Sequence, residues 1–199
     1  MTSRSPRAAL GQIACQVRCC LLCRLCESRT RAVPGEGSAR ARVVFVGEAP
    51  GSSEDATGRP FQGQAGRELD RLLAIGGLTR GQVFITNVNK CHPPGNRRPR
   101  RDEMEVCVRE YLGRQLDAIG PQLVVLTGGV AAEALLGERG RGRPLANLVG
   151  RAFEGDGRHY LVTYHPAAAM RFPAVRQAAD RHFRRLRATL SAAAPCRIR

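Results

Sequence analysis

The chain has 199 residues, 43% of them hydrophobic, which is enough for one domain with a sizeable core and short for two independent ones. Its formal charge of +15, in which Lys90 is the sole lysine, favours a polyanionic partner, although an arginine bias that merely solvates helix faces would give the same balance. No run reaches the ~18 consecutive apolar residues of a membrane span, and the start lacks the apolar stretch of a secretory signal; a cytoplasmic protein with no membrane partner is expected, and its eight cysteines read as metal ligands or buried hydrophobes, not as a disulfide framework.

In chain order, residues 1–37 read as an arm and 38–199 as a single domain. From Ser38 onward short β-branched runs alternate with longer amphipathic segments, the pattern of an α/β parallel sheet covered by helices. The strands are expected at Val43 to Val46, Val83 to Asn87, Leu123 to Leu126 and His159 to Tyr164, each short, apolar and bounded by Gly, Pro or polar residues. Between them, Ala65 to Ala74 carries Leu69, Leu72 and Leu73 on one face, and Arg101 to Ile119 carries Val108, Tyr111, Leu112 and Leu116 at helical spacing. Asp102 and Glu105 suggest a capping box for the second helix, and Gly120-Pro121 its stop. Val130 to Leu136 and Ala174 to Ser191 complete the helices, the last with Ala179, Phe183, Leu186 and Leu190 as its docking stripe. Three segments, Gly47 to Gly63, Lys90 to Arg101 and His165 to Pro173, follow strand carboxyl ends, where open parallel sheets bind ligands.

Cys20-Leu21-Leu22-Cys23 is a C-x2-C pair, a spacing that lets two thiolates converge on one metal or cluster. Cys91 and Cys107 bracket a Pro-rich loop, so two pairs could complete a four-thiolate site. Four thiolates suit a structural zinc and a [4Fe-4S] cluster alike. Cys91 and Cys107 as small buried hydrophobes beside an incidental pair is a third reading. Cys15, Cys19 and Cys26 flank the pair, and Cys23 with Cys26 forms another C-x2-C, so counting leaves the register open.

Read together, Cys20-x2-Cys23 before Arg29-Thr30, Gly47-Glu48-Ala49-Pro50-Gly51, Gly58-Arg59-Pro60-Phe61, Thr86-Asn87, Lys90-Cys91, Pro93-Pro94-Gly95-Asn96-Arg97 and His165-Pro166 closely resemble the family 4 uracil-DNA glycosylases. The similarity runs from about Cys20 to about Arg171. It implies a three-layer α/β/α sandwich with a central four-stranded parallel sheet and a [4Fe-4S] cluster. It also implies hydrolysis of the bond between uracil and deoxyribose in DNA; the expected partner is uracil-containing DNA, single- or double-stranded, and a monomer is expected. It selects Cys20, Cys23, Cys91 and Cys107 as ligands and leaves Cys15, Cys19, Cys26 and Cys196 spare. The cluster is expected to be structural, since glycosidic hydrolysis moves no electron to or from a metal.

A glycosylase flips its target nucleotide into a pocket that reads the base edge. The resemblance gives Phe61 the stacking role. Asn87, ending a strand, can donate to uracil O4 and accept from N3, where cytosine would face donor against donor; an Asn in that place also serves as a turn former. His165 matches the family histidine that donates to O2 as charge develops on the departing base. Ala49 joins the uracil-contacting set at the position where other glycosylase families carry a water-activating aspartate. The resemblance suggests that Glu54, with Asn96, helps to hold the water, and that Glu48 lies near C5 of the base and disfavours the thymine methyl. After His165-Pro166 the apolar wedge is thin: Met170 reads as the only large apolar side chain available to fill the gap left by the flipped base, with Arg171 on phosphate. Two alternatives stay open, a relative that traps the sugar covalently and a cluster-bearing nucleic-acid-binding module without the chemistry.

Overall fold

The computed structural model describes residues 5–192. Four parallel strands form its centre: β2 (Val43–Gly47), β3 (Phe84–Asn87), β4 (Leu123–Thr127) and β6 (Arg158–Thr163). The sheet has six strands, however, in the order β1-β3-β2-β4-β6-β5, because short edges flank those four. The expected four-stranded sheet is corrected to that extent.

Both added strands run antiparallel to their neighbours. β1 (Glu36–Gly37) has two residues, too few to show alternation. β5 (Ala152–Gly155) is half exposed and forms a hairpin with β6 through Asp156 and Gly157, both at positive φ (50° and 69°). Asp-Gly is a favoured pair for that two-residue turn, so this signal was present in the sequence.

The parallel strands bury both faces. Val44, Val46, Val124 and Leu126 pack with Leu112, Leu116, Val130 and Leu136 on one side, beneath α5 (Gly113–Ile119) and α6 (Gly129–Leu136). Val43, Phe45, Ile85 and Val125 pack with Leu69, Leu72, Leu73 and Phe183 on the other, beneath α3 (Gln64–Ile75) and α8 (Pro173–Ala192). Phe45 and Phe183 stack at 5.7 Å. These are the three expected layers. Among the described residues no helix is long and apolar enough to cross a membrane.

The segment Arg101–Ile119 is one helical run with a π turn at Val108–Leu112, directly after Cys107, between α4 (Arg101–Cys107) and α5. Its amino end differs from the expected Asp102/Glu105 box. Arg100 is the N-cap, and its backbone N–H donates to Glu103 at 2.7 Å. Glu103 wins because Arg97 also grips its fully buried carboxylate at 2.8 and 2.6 Å. Gly120 ends the run at φ 59°, the left-handed stop that glycine favours.

Ahead of the sheet, α1 (Pro6–Arg18) was not expected from the sequence. Ser5 Oγ accepts from the backbone N–H of Ala8 at 3.4 Å, and Pro6 starts the helix. Ile13 and Val17 form a third core with Leu25, Ala32, Tyr111, Cys20, Cys91 and Cys107. The cysteine-bearing residues thus pack directly on the helix that follows the Pro-rich loop.

Candidate active site

The loops after β2, β3 and β6 meet at the carboxyl ends of these strands around a cavity of about 450 Å³. Glu48, Ala49, Glu54, Phe61, Asn87, Asn96, His165 and Arg171 all line it. Only Met170, of the seven expected catalytic and base-contacting residues together with the two DNA-contacting ones, stays outside.

Two glycines permit the convergence. In the register between β2 and β3, Gly47 lies opposite Asn87; a Cβ at Gly47 would collide with Asn87 Oδ1 and stand 2.7 Å from Phe61 Cζ. A Cβ at Gly66 would run into the Phe61 carbonyl. Phe61 itself sits at φ 52°, unusual for a bulky residue. Arg80 holds it there by donating to its carbonyl at 2.6 Å while pairing with Glu36 and Asp70. No motif in the sequence pointed to Arg80.

The Phe61 and His165 rings stack at 5.7 Å and 26°. His165 is the N-cap of α7 (Pro166–Arg171), and its Nδ1 accepts from the backbone N–H of Ala167 at 3.2 Å. An accepting Nδ1 in a neutral ring leaves the proton on Nε2. Burial lowers His165 to about 4, with Glu54 acting in the opposite direction, so the ring is neutral at physiological pH.

The three polar candidates differ. Burial raises Glu48 above the usual carboxylate range, and the nearby Arg98 opposes this. Glu54 is pinned: one oxygen accepts from the backbone N–H groups of Gln62 and Gly63 at 2.7 and 3.0 Å, the other from that of Gly51 at 3.0 Å. Its carboxylate therefore ties the loop after β2 to the start of α3. Asn96, at φ 55°, accepts through Oδ1 from His92 Nε2 at 2.9 Å. His92 matched no motif, yet it fixes the side chain of the Pro-rich loop. Arg97 also lines the cavity, braced by Glu103.

Beyond His165, Met170 is 44% exposed and Phe172 57%. Phe172 corrects the expectation that Met170 is the only large apolar side chain there. Phe172 carried no expectation in the sequence, and its exposure was not legible there.

Cys20, Cys23, Cys91 and Cys107 gather in the third core. Two of the sulfurs accept an N–H: Cys20 from Leu22 at 3.5 Å and Cys91 from Arg29 Nη1 at 3.1 Å. Donors of this kind stabilise thiolate sulfur bound to iron. Cys15 and Cys19 are exposed, and Cys19 Sγ instead donates to the Cys15 carbonyl at 3.1 Å. Cys26 is half-buried, and Cys196 lies outside the described residues. Burial raises Cys23 and Cys91 and pushes Cys107 up to about 12; four thiolates here call for a cationic partner. Among the described residues no group of three or more His, Cys, Asp or Glu side chains is placed to hold one metal ion, so what the structure shows is four cysteines sharing one core.

Asp55 connects the two regions. Its carboxylate accepts from the backbone N–H of Thr30 at 2.9 Å and of Arg31 at 3.3 Å, fastening the segment after the cysteine pair to α2 (Ser52–Thr57) beside the cavity.

Residues 34–191 match the model of the uracil DNA glycosylase superfamily. The chain is 44% identical to the type-4 uracil-DNA glycosylase of Pyrobaculum aerophilum, over 80% of this chain and 84% of that one. To the type-4 uracil-DNA glycosylase of Saccharolobus solfataricus it is 40% identical, over 92% and 87%, and to that of Sulfurisphaera tokodaii 40%, over 90% and 84%. Similarity at this level over nearly the whole fold identifies the chain as a member of the type-4 branch of the uracil DNA glycosylase superfamily.

Proposed function

We propose that the protein flips uracil out of DNA, single- or double-stranded, and hydrolyses its N-glycosidic bond, releasing free uracil and leaving an abasic site. The observation that carries this is the meeting of Phe61, Asn87 and a His165 of fixed tautomer around one cavity. Phe61 stacks on the extruded base, and Asn87 donates to O4 and accepts from N3. As the N1–C1′ bond breaks, its electron pair moves onto uracil N1 and O2, and His165 Nε2–H donates to O2. The water oxygen bonds to C1′, its released proton passes to solvent, and uracil N1 regains a proton. Ala49 leaves that approach without an aspartate. Asn96 and Glu54 shape the water's position, Glu54 chiefly through the loop it fastens, and Glu48 crowds C5 against a methyl group. Met170 fills the gap in the duplex and Arg171 meets phosphate.

Cys20, Cys23, Cys91 and Cys107 hold a [4Fe-4S] cluster that braces the arm (residues 1–37) and the Pro-rich loop against the domain (residues 38–199). The protein works as a monomer in the cytoplasm. The test is release of free uracil from a duplex with one uracil, with His165→Ala and Asn87→Ala compared. Release by the parent and its loss in both variants supports the reading. Binding without release leaves the non-catalytic module, and a protein-DNA adduct stable to denaturation leaves the covalent relative.

A further inference from the structure

We infer that Lys90 is a positioning residue whose Nζ holds the strand end that carries Asn87, one residue ahead of Cys91. The inference rests on the reading that Asn87 recognises uracil. Lys90 is 1% exposed, and a buried lysine costs stability unless its donors are matched. All three are: Nζ donates to the Asn87 carbonyl at 2.7 Å, to Thr86 Oγ1 at 2.7 Å and to Gln115 Oε1 at 2.8 Å. Gln115 is anchored in turn, its Nε2 donating to the Pro34 carbonyl at 2.6 Å.

The backbone of Lys90 points the other way. Its carbonyl accepts from the Val33 N–H at 2.7 Å, and Cys91, buried in the third core, follows it. One residue therefore joins the cysteine core to the peptide plane of Asn87. Beyond Asn87 the ladder to β2 continues, Val88 N–H to the Gly47 carbonyl at 2.9 Å and Asn89 N–H to that of Glu48 at 3.0 Å. A lost ammonium would free the Asn87 carbonyl at the point where β3 turns into the loop.

Composition supports an ammonium in particular. Every other member of the 32 lysines and arginines is arginine, so a chain that uses guanidinium everywhere else departs from it here. Three acceptors at 2.7 to 2.8 Å around one nitrogen match the compact, rotatable donors of lysine and not a planar fork.

The test is a double-mutant cycle on single-turnover uracil release with Lys90→Met and Asn87→Ala, alongside iron content and visible absorption. Lys90→Met is expected to slow release about 100-fold, the scale of a misplaced binding group, with iron and absorption unchanged. In the Asn87→Ala background the same change is expected to alter the rate by less than about 3-fold, since neighbours acting through one group are non-additive. Lys90→Arg should not restore the rate. Multiplying effects, a rate loss that tracks loss of iron, or a wild-type rate in Lys90→Arg would each overturn the inference. An Asn87→Ala protein as fast as the parent would instead sink the uracil-reading role itself. Should Lys90→Met fail to fold, Thr86→Val, which removes one acceptor at constant shape, is put through the same cycle and judged by the same non-additivity.

Discussion

The backbone N–H of Ala167 donates to His165 Nδ1 at 3.2 Å, so the first turn of α7 sets the tautomer of the residue proposed to face the base. With His165 lowered to about 4 by burial, the neutral ring is fully populated at pH 6 and above. Below pH 4 the imidazolium carries a proton on Nδ1, which would face the Ala167 N–H donor to donor. Single-turnover uracil release should therefore be insensitive to His165 ionisation between pH 6 and 8 and fall as pH drops through about 4. His165→Asn should be slower throughout and lose that acid limb. An acid limb of unchanged midpoint in His165→Asn would assign it to another group.

Glu54 behaves as a fastener, because three backbone N–H groups occupy its two oxygens. Glu54→Gln turns one oxygen into a donor that faces an N–H. An unsatisfied pair of this kind costs about 2 kcal/mol. The expected outcome is a lowered midpoint in urea together with slower uracil release. Unchanged stability with a slower reaction would return Glu54 to a purely water-directed role.

Met170 and Phe172 give the site two exposed apolar side chains, at 44% and 57%, where one was expected. A wedge matters only where a flipped base leaves a gap in a stacked duplex. Met170→Ala should thus slow release from a uracil duplex by about 10-fold, roughly the 1.4 kcal/mol of a lost apolar contact, and leave single-stranded uracil untouched. Phe172→Ala should weaken duplex binding without changing single-strand turnover. Equal losses on both substrates would place these residues in the pocket's structure and not in the gap.

The parts legible in sequence are those where local chemistry and tertiary position agree. The four central strands could be read because burial on both faces leaves runs such as Val43 to Val46 wholly apolar. Asn87 and His165 could be located because the first closes a strand and the second follows one closely. What escaped depends on long-range pairing. β1 exists only because Glu36 and Gly37 meet Ile85 and Phe84. Arg80 reaches the Phe61 carbonyl across 19 positions, and Glu103 displaces Asp102 and Glu105 from the capping role because Arg97 and Arg100 both turn to it. The α/β architecture followed from the alternation of elements, whereas the ligand register and base-contacting roles came from the similarity of seven motifs.

The cysteines make the sharpest division within one residue type. Cys91 and Cys107 are each 3% exposed, and Arg29 donates to Cys91 at 3.1 Å; Cys15 and Cys19 face solvent, with Cys19 donating. A sulfur that receives N–H groups is prepared to be a thiolate, and one that donates is prepared to remain a thiol. Cys91→Ala should abolish the visible absorption band and most of the iron and sulfide, and lower thermal stability, because the third core then lacks what holds Cys20, Cys23 and Cys107 together. Cys19→Ala should change none of these. Arg29→Met, which removes the donor and keeps the length of the side chain, should retain iron but shift the band and hasten its loss in air. Zinc without iron in the parent protein, or normal iron in Cys91→Ala, would refute the ligand set.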